Sequence, residues 1–168
     1  MSFWYLFKYE EKTPHLSTLH KRIIEELPDK TENTYILITC LAGLLARVAY
    51  VDLDIQDKEE KVMQEILQRR TTLTSSEAQW VTRLALEEIK ELVGVENREY
   101  CNALNELLTT DQKQMILLSL FEIAAGDEIV DSAEVDQIRN ISKALLLEHH
   151  HFLAAKATII ESLGALKS

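Results

Sequence analysis

A chain of 168 residues is long enough to bury a hydrophobic core as one domain, 1–168, without disulfide or metal staples. Apolar residues make up 46% and charged residues 27%, while four Gly and two Pro leave little material for tight turns, a balance that favours packed helices over a sheet. The formal net charge of −10 argues against nucleic acid as a partner, because that affinity comes largely from Lys and Arg displacing counterions; cations and basic proteins fit better.

In chain order, residues 1–12 form an aromatic arm, with Phe3-Trp4-Tyr5-Leu6-Phe7 followed by Lys8, Tyr9 and Glu10. It has no basic region ahead of it and no small-residue cleavage site, so it does not read as a secretion signal. Strapping across the core is its expected role; a homodimer contact or a peripheral membrane anchor are the alternatives. Leu16, Leu19, Ile23, Ile24 and Leu27 share one helical face, and Pro28 closes that helix. Between Thr34 and Val51 the apolar residues cover more than one narrow face, which predicts a buried central helix. The run is broken by Arg47 and falls short of the roughly 20 residues a bilayer span needs, so no transmembrane segment is expected and the cytoplasm is the expected location.

Val62, Met63, Ile66 and Leu67 mark the inner face of the next helix. Thr74-Ser75-Ser76-Glu77 matches a capping box and opens a helix carrying Trp80, Leu84, Leu86, Ile89 and Leu92, with Gly94 as its stop. A short amphipathic stretch around Tyr100, Leu104, Leu107 and Leu108 follows, then a second box-like start at Thr109 and an apolar helix, Met115–Ala125. Two last helices are predicted over Ser132–Leu146 and His149–Leu163. No strand-like alternation is long enough to build a sheet. The expected fold is all-α, a compact domain of about seven or eight helices. Cys40 and Cys101 sit inside helical apolar patterns and read as reduced core thiols.

The chain carries an internal duplication, with halves at about 34–70 and 111–146. Val48 to Glu59 lies over Ile123 to Glu134 without a gap, pairing Asp52, Ile55 and Glu59 with Asp127, Val130 and Glu134. Each half is a helix, an acidic elbow and a second helix. The aliphatic residue should plug the elbow into the core, and the acids on either side of the turn can converge as the chain reverses. Two such hairpins should pack with pseudo-twofold symmetry. Asp52, Asp54, Glu59, Asp127, Asp131 and Glu134 are hard oxygen donors suited to a divalent cation, calcium or magnesium, rather than to a soft metal. The elbows are not EF-hands: that pattern needs Gly at 57 and Glu at 63, where this chain has Asp57 and Met63.

The repeated pattern, an apolar helix followed by Asp-x-x-(Ile/Val)-x-x-x-Glu, resembles the TerB-like family that includes tellurite-resistance proteins. The resemblance covers roughly Ile36 to Phe152. It departs at Leu53 and Glu128, where family members usually place Gly. The resemblance implies a compact helical domain of metal-linked and stress-response complexes, working with a protein partner and without catalysing a reaction.

The same six acids also have a purely structural reading. Asp131-Ser132-Ala133-Glu134 is a capping box in its own right, and acids in a first helical turn oppose the helix dipole without any ligand. Two further functions stay open: a metal-dependent hydrolase-like enzyme using the same carboxylates, and a structural oligomerisation domain using the arm. No phosphate-cradling Gly loop, nucleophile elbow or metalloprotease helix motif supports catalysis. His149-His150-His151 cannot converge on one ion, because successive helical residues point about 100° apart; they read as a solvated helix start.

Overall fold

The computed structural model describes residues 14–51, 55, 57–91, 97–126 and 130–167. The aromatic arm and the Gly94 stop lie outside them. Eight helices make up the described fold, and among the described residues there is no strand: α1 (Pro14–Glu26), α2 (Glu32–Ala49), α3 (Asp57–Arg70), α4 (Ser75–Glu91), α5 (Arg98–Leu107), α6 (Thr110–Ala124), α7 (Ser132–Ala144) and α8 (His149–Lys167).

Local chemistry sets the helix starts. Thr31 caps α2, its hydroxyl accepting from Thr34 N at 3.2 Å. Thr74 and Glu77 close a reciprocal box ahead of α4, with bonds of 3.3 and 2.9 Å, and Thr109 with Gln112 does the same for α6. Each pair gives otherwise orphaned amide protons an acceptor, so these starts are specified by a few neighbouring residues.

Packing is organised around α2, which is 67% buried and touches α1, α3, α4, α5, α6 and α7. By length and apolarity α2 would also fit a membrane, but here its hydrophobic surface is spent on the domain's own core. Tyr100 of α5 lies against it so closely that a Cβ at Gly43 would stand 2.6 Å from Tyr100 Cζ. Cys40 and Cys101 are both free and buried in this region, as expected. Burial pushes the Cys101 thiol up to about 12 and that of Cys40 still higher.

The C-terminal helix is anchored through Phe152, 1% exposed. Its ring meets Phe121 of α6 at 5.5 Å between centroids, the Arg139 guanidinium of α7 stands 5.0 Å over it, and His149 stacks on it at 5.8 Å.

Helix α7 ends in a Schellman motif, Leu147 N donating to Ser142 O at 3.1 Å and Leu146 N to Lys143 O at 3.0 Å. The motif requires a left-handed residue, and that residue is Leu146, at φ 58° and 75% exposed. A side chain with a Cβ costs roughly 1–2 kcal/mol in that conformation, and an exposed Leu recovers little by packing. Leu146→Gly is therefore expected to stabilise the domain by about 0.5–1 kcal/mol, read as a higher urea midpoint at unchanged slope. A lower midpoint would mean that the exposed side chain has a packing role.

Candidate functional site

The two acidic elbows join α2 to α3 and α6 to α7. Asp52, Asp54 and Asp127 lie outside the described residues, so the geometry concerns Glu59, Asp131 and Glu134. Glu59 is the third residue of α3, and Glu134 is the third residue of α7, the equivalent positions of the two repeat halves. Asp131 is the cap of α7: its Oδ1 accepts from Ala133 N at 2.7 Å and Glu134 N at 3.2 Å, while Glu134 Oε2 accepts from Asp131 N at 3.1 Å. The capping reading of Asp131 and Glu134 is thus fully realised.

Capping alone does not account for the burial of the two glutamates. Glu59 is 2% exposed and Glu134 4% exposed, whereas Glu77, at the same third position of α4 and closing the same kind of box, has a side chain 26% exposed. A carboxylate removed from water costs several kcal/mol unless polar groups or charge meet it. Both glutamates lie in first helical turns, where the positive end of the helix dipole offsets part of that cost.

The fold also brings the halves together. A Cβ at Gly126, the last described residue before the second elbow, would stand 3.6 Å from Glu59 Cγ and 3.6 Å from Val62 Cγ2 of the first half. The start of α3 therefore lies against the end of α6, with the first-half glutamate beside the second-half backbone at Gly126. The packing is crosswise, α3 on α6 and α2 on α7, as pseudo-twofold symmetry requires. Ile55 and Val130 both pack against the core and act as the expected plugs. On the same α3–α6 contact, Arg69 and Arg70 pair with Glu122, and Arg70 Nε donates to Ser119 Oγ at 3.1 Å.

Sequence reasoning did not anticipate Gly126 as the neighbour of Glu59 and Val62. The available signal was Gly126 itself, standing directly ahead of the elbow Asp127. Among the described residues no three His, Cys, Asp or Glu side chains gather closely enough to hold a metal ion. The histidines take three separate roles: His149 stacks on Phe152, His150 Nδ1 lies 3.2 Å from Glu148 Oε2, and His151 Nδ1 accepts from Glu148 N at 3.1 Å.

Residues 39–157, well over half of the chain and including both elbows, match the family described as Tellurite resistance protein TerB. The chain belongs to the TerB family. The match runs from within α2 to within α8 and coincides closely with the stretch in which the duplication and its elbows were recognised. No curated protein and no solved structure matches the chain. TerB membership connects this domain with tellurite resistance at the level of the family, and the all-helical architecture accords with it.

Proposed function

We propose that this chain is a non-enzymatic, tellurite-resistance and stress-related binding or adaptor domain whose paired acidic elbows engage a divalent cation, calcium or magnesium, or a basic patch on a protein partner. The supporting observation is the burial of Glu59 and Glu134 at equivalent positions of the two repeat halves, with Glu59 beside Gly126 of the second half. Both glutamates are held in place by burial in a first helical turn, and Asp52, Asp54 and Asp127 lie within seven residues of them in sequence. A divalent cation or a Lys/Arg cluster is the charge complement of such a site.

Calorimetric titration of the parent with calcium, magnesium, manganese and zinc tests the proposal, alongside an Asp52→Ala/Asp127→Ala variant shown by circular dichroism to be folded. Saturable binding by the parent, weakened at least tenfold in the variant, is the expected result for the cation arm. For the partner arm, a basic peptide of mixed Lys and Arg should bind the parent with salt-dependent affinity and lose it in the same variant. Absence of both would confine these acids to capping.

A further inference from the structure

Helix α8 has two apolar faces, and the domain covers only one. Phe152, Ala155 and Ile159 are buried against the rest of the chain, while Leu153 and Ile160 remain 49% and 54% exposed with exposed Ala157 between them. At 100° per residue the outer stripe lies about a third of a turn from the inner one. Its spacing of four residues and then three is that of a coiled-coil seam. A helix that is apolar on two sides is normally buried on both.

The flanking charges indicate what covers the outer face. Lys156 and Glu161 border the stripe on opposite sides, and neither has an ion-pair partner among the described residues. Five residues apart, they point too far round the helix to pair with each other. When two copies of such a helix run parallel about a twofold axis, the left flank of one meets the right flank of the other, and each residue faces the position five further along. Lys156 then meets Glu161 of the second copy, twice by symmetry. An antiparallel pair would instead bring like flanks together, lysine beside lysine and glutamate beside glutamate.

Net charge points to the same surface. Two chains of charge −10 repel each other, yet α8 contains Lys156 and Lys167 against Glu161 as its one acid, so two copies approach there without adding acid to acid.

We propose that two copies of this chain associate through α8 as a parallel twofold dimer, with Leu153, Ala157 and Ile160 in the seam and Lys156–Glu161 bridges across it. A pair of single helices buries less than the roughly 1,200 Å² of a stable interface, so the dimer is weak, with a dissociation constant on the order of tens of micromolar.

Sedimentation equilibrium of the full chain across that concentration range is the test. The parent should dimerise, Leu153→Glu should be monomeric, and Lys156→Glu should weaken association about tenfold by setting acid against acid at both ends. The double exchange Lys156→Glu/Glu161→Lys should restore it, since the same pairs re-form with reversed polarity. Circular dichroism on each variant separates loss of association from loss of fold. A parent that stays monomeric overturns the proposal, as does a dimer indifferent to the charge exchange or lost only on removal of residues 1–12. Binding of phospholipid vesicles by a monomeric parent, abolished by Leu153→Glu, would assign the face to a membrane and overturn it equally.

Discussion

Phe152→Ala should lower the free energy of unfolding by about 3–5 kcal/mol, the range for removing a fully buried aromatic side chain. The ring is the point at which α6, α7 and α8 meet: Phe121 packs against it, Arg139 lies over it and His149 stacks on it. Truncation leaves a void between three helices and takes the aromatic partner from a cationic side chain. Because α8 meets only α6 and α7 among its larger contacts, it should loosen first. Urea unfolding followed by far-ultraviolet circular dichroism measures the loss, and hydrogen exchange should show α8 amides opening before those of α2. A Phe152→Leu control keeps most of the volume and should cost clearly less. A loss below about 1 kcal/mol for the alanine variant would mean that the void collapses and that Phe152 is no anchor.

Gly43→Ala is the second large effect, and its sign depends on a residue far away in sequence. In an isolated helix the change is favourable by about 1 kcal/mol, since Gly is the poorer helix former. Here the new methyl would stand 2.6–2.9 Å from three atoms of the Tyr100 ring, which is itself 4% exposed and has little room to retreat. Overpacking of this kind costs about 1–3 kcal/mol, or a fall in Tm of several degrees at roughly 2–4 °C per kcal/mol for a domain of this size. The decisive comparison is made in a Tyr100→Ala background. With the ring gone, adding Gly43→Ala should cost nothing or stabilise. Equal cost in both backgrounds would show that the ring contact is not what requires glycine.

These two cases mark where sequence reasoning carries and where it stops. Helix starts were legible because a cap involves residues three apart: Thr74 with Glu77, Thr109 with Gln112 and Asp131 with Glu134 form the boxes their spacing implies. The central helix was legible because its apolar residues exceed one face, and α2 is the most widely contacted element. The duplication was legible as a constant offset, and it placed Glu59 and Glu134 at equivalent helical positions. What could not be read was anything decided by chains far apart in sequence. Gly43 reads as a weak point in a helix until Tyr100 is seen against it. Glu59 reads as a first-turn acid until Gly126 is found beside it, and nothing in the sequence of α8 says that Phe152, Ala155 and Ile159 are covered while Leu153 and Ile160 are not. The end of α8 was not legible either: the helix continues to Lys167, past the last periodic residue at Leu163.

The burial of Cys40 and Cys101 has a practical consequence. Alkylating reagents attack thiolates, and these two sulfurs are both sealed from solvent and held in the thiol form by their surroundings. Their labelling must therefore wait for the helices around them to part. The native chain thus carries its own reporter groups for opening, two thiols whose labelling rate follows the interior of the bundle without any residue being introduced.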